Sequence, residues 1–437
     1  MLFLSIEEVL CYNIIPKRLH MQPDRFSERL GLKRRPRALH GLPSQHWSRI
    51  GQGRSGNASA PRVWKGDIAM IFKKIPVILI ILAVCLMTSP SLSFNSSGLC
   101  LDPEGIEIKD AAGKTIKLDK PPQRLAVIGR GSQYLLHLLY MFPEGPRRLI
   151  GMEQRGSSAS DFLSAIASGI ENKLTLLPNP GPESIASLQP DLVLMKGFQS
   201  GPLDEALAKV GIPTFYMNLE TPEEYYRDIS NLGVILENPK RAAEIISFYN
   251  DWVSRVEKAL EGLRDDEKPS VLVVMGNIRR GKYAVRVPAL PWMQTYQVKA
   301  AGGRPVWLKA AEQAGGWAVV NFEQIAVWNP ERLVIIVWYS TDSSDFLDWL
   351  SADPQWKNLK AVAGGKVSFF PSDFYGWDTP DVRWILGLTW MTATLHPERL
   401  KDYSIEDEVY LFYEQLYGLS RETILTKILP KIKTDFR

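Results

Sequence analysis

The chain is poor in the residues that build metal and redox sites. Its three cysteines, Cys11, Cys85 and Cys100, are too few for a disulfide framework or a multi-thiolate metal site. Histidine is as scarce: His20, His40 and His46 lie in the first 69 residues, which leaves His137 and His396 for the body. That excludes a transition-metal centre built from imidazole and thiolate, and no cofactor is implied. Catalytic signatures are missing too. There is no Gly-x-Ser-x-Gly elbow, no His-Glu-x-x-His and no Walker loop, and Gly129-Arg130-Gly131-Ser132 lacks the rest of a dinucleotide fingerprint. With two body histidines, general-base chemistry would fall to carboxylates with no evident pairing, so the chain is read as a non-enzyme. Tryptophan is absent between Gly98 and Asn250, and most of the 13 lie in the second half.

Excess charge of one sign is also missing from the body. Residues 1–69 hold 12 Lys/Arg against 5 Asp/Glu, a net of +7, so the rest carries −3 of the chain's overall +4. A mildly acidic body argues against a nucleic-acid surface. Apolar content of 45% over 437 residues is enough for two or three packed domains.

What is present begins with an export signal. Lys73-Lys74 precedes an apolar run from Ile75 to Met87, then Ser91-Leu92-Ser93, the layout of basic, apolar and small-residue cleavage regions. The run is shorter than the roughly 20 residues of a membrane-spanning helix. Residues 70–93 are therefore read as a signal peptide. Residues 1–69, rich in Arg, Pro and Gly, are read as a disordered basic extension. Translation from Met70 is one account of it; a basic tail before a signal anchor is the other. Val84 before Cys85 and Leu99 before Cys100 make poor lipid-attachment sites.

The body alternates strand and helix. Ile106–Ile108 and Thr115–Leu118 flank Asp110-Ala111-Ala112-Gly113 as a hairpin. Short apolar strands follow at Arg124–Ile128, Arg148–Gly151, Leu192–Met195 and Thr214–Met217, with helices between, which predicts a parallel or mostly parallel sheet. From Asn238-Pro239 to Gly262 a helical period runs through Ala242, Ile245, Tyr249, Trp252, Val256 and Leu260. Its roughly 25 residues would make a rod of about 37 Å. A second alternating region has strands at Ser270–Val274, Leu333–Val337 and Val367–Phe370, and helices at Arg383–Leu395 and Glu406–Tyr417. The expected organisation is an N-terminal α/β lobe over 100–237, a spine helix over 238–264 and a C-terminal α/β lobe over 265–437.

One phrase is written twice. Glu183, Ile185, Ala186, Pro190 and Asp191 recur as Glu323, Ile325, Ala326, Pro330 and Glu331, each at a spacing of 140 and each leading into an apolar strand. Two copies of a helix–proline–strand unit imply two similar lobes and a cleft between them. In open α/β sheets ligands bind at strand carboxyl ends. In the first lobe those ends offer Arg130, Ser132, Gln133, Glu153, Arg155, Lys196 and Phe198. In the second they offer Asn277, Trp338, Tyr339 and the loop Phe374–Trp377, with Tyr283 and Trp292 as neighbours. The expected ligand residues are Arg130, Gln133, Arg155, Lys196, Asn277, Trp292, Tyr339, Tyr375 and Trp377. Cations on one wall and aromatic rings on the other suit a bulky anionic chelate with an apolar body.

The opening hairpin, Pro121-Pro122-Gln123-Arg124, the doubled Glu…Pro unit, the spine, Ala301-Gly302-Gly303 and the closing Trp377-Asp378…Arg383-Trp384…His396-Pro397 resemble the periplasmic binding proteins for ferric siderophores, haem and vitamin B12. The resemblance spans Ile106 to Ile432. It implies two Rossmann-like lobes on a helical spine, and an exported, periplasmic or extracytoplasmic monomer serving an ABC importer. It also implies that one glutamate per lobe, Glu183 and Glu323 here, docks into arginine pockets of the permease. The expected ligand is an iron chelate, haem or corrinoid. A small oxyanion such as molybdate is the alternative, and a surface sensor without a transport role is the second.

Overall fold

The computed structural model describes residues 105–154, 156–279, 282–337 and 343–434. The expected extension and signal segment, together with Arg155, Trp338 and Tyr339, lie outside that range. Among the described residues no helix is long and apolar enough to cross a membrane.

The expected hairpin is present. Strands β1 (Ile106–Lys109) and β2 (Thr115–Leu118) pair antiparallel. Asp110 shapes the turn: its Oδ1 accepts from the N–H groups of Ala112 and Lys114 at 2.9 and 2.8 Å. The first lobe is then a five-stranded parallel sheet of β3 (Leu125–Val127), β4 (Leu149–Glu153), β5 (Leu174–Leu176), β6 (Leu192–Lys196) and β7 (Thr214–Met217), in the order β5-β4-β3-β6-β7. Helices α1 (Ser132–Leu139), α2 (Gly156–Ile166), α3 (Pro182–Ala186), α4 (Pro202–Lys209) and α5 (Pro222–Ile235) connect the strands. Every residue of β3, β6 and β7 is buried, as expected where helices cover both faces of a parallel sheet.

Helix α6 (Pro239–Ala259) is the spine. Asn238 caps it, its side chain accepting from the Arg241 N–H at 3.0 Å, and Pro239 occupies the first turn, where its missing N–H costs nothing. Its 21 residues span about 31 Å, shorter than the sequence periodicity suggests. Leu260 already leaves helical geometry and Gly262 turns the chain at φ +74°.

The second lobe has the order β11-β9-β8-β12-β13. Its strands are β8 (Ser270–Arg279), β9 (Lys282–Val287), β10 (Arg304–Pro305, beside β8), β11 (Ala318–Val320), β12 (Arg332–Val337) and β13 (Val367–Phe369). This sheet is mixed. β9 runs antiparallel to both β8 and β11, because only two residues link Arg279 to its partner Lys282 and so short a link forces a hairpin. Helices α7 (Met293–Ala300), α8 (Phe322–Trp328), α9 (Ser343–Ala352), α10 (Trp384–Leu395) and α11 (Ile405–Tyr417) complete it. Helix α10 is apolar all round and every residue but Thr394 is buried. Gly387 lets the chain close on it: a Cβ there would lie 2.3 Å from the Trp377 carbonyl oxygen.

The repeat is a repeat of topology. Glu183 opens α3, which leads from edge strand β5 to β6; Glu323 opens α8, which leads from edge strand β11 to β12.

The lobes meet over a buried ionic cluster. From the first lobe, His137 on α1 bonds through Nδ1 to Asp381. Asp381 also holds Arg383, whose Nε lies 2.7 Å from Asp373 and 3.0 Å from the Tyr413 hydroxyl. Tyr413 in turn donates to Asp373 at 2.6 Å, and the guanidinium lies 4.0 Å from the Phe162 ring centre. The side chains of His137, Asp373, Asp381 and Arg383 are wholly removed from solvent. The spine joins above them: Tyr249 stacks on Trp384 with centroids 5.3 Å apart and donates to the Val382 carbonyl at 2.7 Å. Removing a buried guanidinium strands two carboxylates in a dry interior, at a cost of about 3–5 kcal/mol. Arg383→Met is therefore expected to lower the melting temperature by roughly 5–10 °C in calorimetry, whereas Lys240→Met on the exposed spine face should change it by less than about 1 °C.

Candidate functional site

The cleft rim of the first lobe is built on the loop after β3. Gly129 and Gly131 have φ of +93° and +77°, which only glycine adopts cheaply, and a Cβ on Gly129 would lie 2.3 Å from the Gln199 side chain. Gln199, just past β6, grips Arg130 at both ends: its Oε1 accepts from the Arg130 N–H at 2.7 Å and its Nε2 donates to the Arg130 carbonyl at 2.9 Å. Exposed Arg130 is thereby fixed beside the turn that carries Phe198, a ring with 63% of its surface in solvent. Glu153, buried at the end of β4, accepts from the Gly129 N–H at 2.5 Å with one oxygen and from the Asn179 N–H at 2.6 Å with the other.

Behind this rim lies Lys196. It is buried, donates to the Asn218 carbonyl and to Glu220 Oε1 (2.8 Å), and stands 5.6 Å from the centre of the Tyr134 ring. Its charge is thus balanced inside the lobe. Of the three expected cations, Arg130 is at the surface, Lys196 is committed to Glu220, and Arg155 lies outside the described residues. Gln133 is half-buried in the first turn of α1.

Tyr134 and Tyr375 face each other across the lobes, edge to face, with centroids 6.0 Å apart. Burial, reinforced by the neighbouring Tyr375, pushes the Tyr134 phenol well above its ordinary value, so it stays a neutral hydroxyl. Trp377 is not on a ligand wall in this conformation. It is fully buried, its carbonyl accepts from Gln297 at 2.8 Å, and its indole N–H is 3.5 Å from Asp373. Trp292 sits elsewhere too. β9 runs antiparallel, so the register Met275↔Arg286 carries the chain after Val287 away from the carboxyl end of β8. There Trp292 packs edge-on against Trp317 at 5.5 Å. Asn277 lies in β8 opposite Ala284, near the carboxyl end; its side chain and Tyr339 are outside the described residues.

Tyr134, Gln199 and Glu220 were not singled out in the sequence. Tyr134 is masked by the leucines that follow it on α1. Gln199 follows Phe198 directly, so a wider reading of the β6 carboxyl end would have found it. Among the described residues no group of three or more His, Cys, Asp or Glu could hold a metal ion.

The architecture is thus two α/β lobes on a helix, with polar and aromatic groups at the carboxyl ends of the first lobe's strands. Comparison agrees: the periplasmic binding protein family model matches residues 169–374, and the chain shares its two-lobed fold with solved periplasmic solute-binding proteins. The family implies an extracytoplasmic place of work. The chain is 24% identical over 260 residues to the molybdate-binding protein MolA of Haemophilus influenzae, covering 54% of this chain and 70% of that one. It is 23% identical over 313 residues to the Fe(3+)-citrate-binding protein YfmC of Bacillus subtilis, covering 68% and 88%. A periplasmic solute binding protein from Veillonella parvula shares the fold with a TM-score of 0.58 and 24% identity, over 74% of this chain and 96% of that one.

Asp378 lies in the loop between Trp377 and α10. It is buried and accepts from Gln294 Nε2 at 3.2 Å, and burial lifts its carboxyl to about 6. A carboxyl raised above its unfolded value favours folding fully below about pH 3.8, and that support is lost as pH rises through about 6. Asp378→Asn, which cannot ionise, is therefore expected to gain roughly 2–3 kcal/mol over the native chain at pH 8 and nothing at pH 3.5. Urea denaturation at the two pH values measures the difference.

Proposed function

We propose that the chain is exported through the segment 70–93 and works as a monomer. In this reading it captures an anionic metal chelate with an apolar body and passes it to an ABC permease. The observation that carries the ligand class is the Gln199 clamp, which holds the backbone of exposed Arg130 next to the turn that carries exposed Phe198. A guanidinium grips carboxylate or phenolate oxygen, and a ring beside it covers apolar ligand surface. Iron–siderophore complexes with carboxylate or phenolate oxygens on an apolar body fit that pairing best, and haem, with two propionates on a flat ring, shares the chemistry.

The likeness to MolA favours a second reading, a small oxyanion. Such a ligand is held by converging N–H donors in a dry nest. The Gly129 and Arg130 N–H groups already donate to Glu153 and Gln199, which weighs against it. Buried Ser132, whose hydroxyl has no partner among the described residues, is the feature in its favour.

The permease contact is assigned to Glu183 and Glu323. Both are exposed, both lie in the first turn of a helix, and they occupy equivalent places in the two sheets. Carboxylates so placed suit bidentate arginine partners. A sensor without a transport role would leave this symmetry without use.

Thermal-shift titration with ferric citrate, a ferric hydroxamate, haem, cobalamin and molybdate tests the ligand class. A ferric chelate at a hundred times its dissociation constant should add about 2.7 kcal/mol. Arg130→Ala and Phe198→Ala should each weaken it by about tenfold. Stabilisation by molybdate alone would sink the chelate reading. The Glu183→Ala, Glu323→Ala double variant should bind ligand normally and lose uptake in cells; full uptake would remove both residues from docking.

A further inference from the structure

Nine large apolar side chains stand exposed among the described residues, and four of them crowd the two repeat units. In the first lobe these are Leu174 on edge strand β5 and Leu177 just after it. In the second they are Val319 on edge strand β11 and Val327 on α8. Leu177 and Val327 are the most exposed, at 76% and 84%. Val327 stands four residues after Glu323 on one helix, so the two share a face. From Leu174 to Ser184 the chain is at the surface, with only Leu176, Pro180 and Pro182 half covered.

Both units are also stiff, which a merely solvated loop has no need to be. Pro178, Pro180 and Pro182 punctuate the stretch between Leu177 and Glu183. Asn179, at φ +58°, is held by its N–H on the buried carboxylate of Glu153. The start of α8 is locked by a reciprocal cap: Asn321 Oδ1 accepts from the Gln324 N–H at 2.9 Å and Gln324 Oε1 from the Asn321 N–H at 3.1 Å. A stiff apolar knob loses little entropy when a partner covers it.

We infer that Leu177 and Val327 are apolar anchors of the docking surface, one per lobe, seated on the outer face of an ABC permease beside the arginines that would receive Glu183 and Glu323. This rests on the docking role proposed for those glutamates. The occupant follows from charge. The exposed carboxylates of Glu183 and Glu323 near the apolar knobs disfavour an anionic lipid surface and a second copy presenting the same glutamates, and suit a protein face that combines guanidinium groups with apolar shelves. The repetition in both lobes matches a partner that spans both.

Photo-cross-linking in intact cells of the native host tests it, with a benzophenone amino acid at 177, 327, 184, 326, 210 or 425, one site at a time. Circular dichroism checks that each variant is folded. Permease adducts, identified by mass spectrometry, are expected from 177 and 327 at least tenfold above those from Val210 and Leu425, which are exposed elsewhere. Equal yields at all sites, adducts only with another copy of the chain, or no adduct from 177 and 327 would overturn the assignment. Adducts from Ser184 and Ala326, beside the glutamates, but none from 177 and 327 would remove the anchors and leave the glutamates in place. Adducts from 177 and 327 that survive undiminished in a Glu183→Gln, Glu323→Gln background would do the reverse.

Discussion

Arg383 is a full positive charge with no access to water, and the relation between the lobes is arranged around that fact. An ion so placed is tolerated only when opposite charge and hydrogen bonds replace its hydration. Asp373 and Asp381 supply the charge, Tyr413 a hydroxyl, and Phe162 a ring face. Burial alone would raise the Asp381 carboxyl, but Arg383 and His137 outweigh it and hold it at about 2. Burial pushes His137 down against the pull of Asp381, so the imidazole is neutral at neutral pH and donates from Nδ1. The cluster thus draws on both lobes, and the C-terminal helix α11 closes it through Tyr413. Separating the lobes at this point would expose or strand these charges.

Glu153 performs a related task on a smaller scale. Its two oxygens hold the backbone of Gly129 at the ligand rim and of Asn179 in the loop that leads to Glu183. One buried carboxylate therefore ties the cleft-facing and outward-facing loops of the first lobe into a single body. Gln199 extends the same logic, because its neutral amide holds the backbone of Arg130 next to the turn that carries Phe198.

Much of the architecture was legible because it is written locally. The Asp110–Gly113 turn, the cap and proline at Asn238-Pro239, and the buried runs of β6, β7 and β12 are near-neighbour effects that need no tertiary partner. The short elements were not legible. β5, β10 and β11 have two or three residues each and exist through pairing with a neighbour, so they leave no period of their own. The candidate site was legible only as positions along the strands. The strand-end rule placed Arg130, Lys196, Glu153 and Phe198 at or just past strand carboxyl ends, where they stand, but it assumes parallel strands. It failed for Trp292 because β9 is antiparallel, and it could not tell that the loop after β13 folds Trp377 inward under Gly387.

By itself the sequence determined that there are two lobes, where the helix between them begins, and that each lobe opens an acidic helix at the same point of its sheet. Period, capping chemistry and the doubled Glu…Pro unit carry that information within stretches of a few residues. The tertiary fold set which charges are buried. Lys196 reads like Arg130 in the sequence, yet the fold buries it on Glu220 and leaves Arg130 at the rim. Asp378, Asp381 and Asp373 read alike, yet burial without a cation lifts the first to about 6, while Arg383 and His137 hold the second near 2. A side chain's charge is a local property, but its solvation and its partner are not. The outcome was therefore set where distant segments meet.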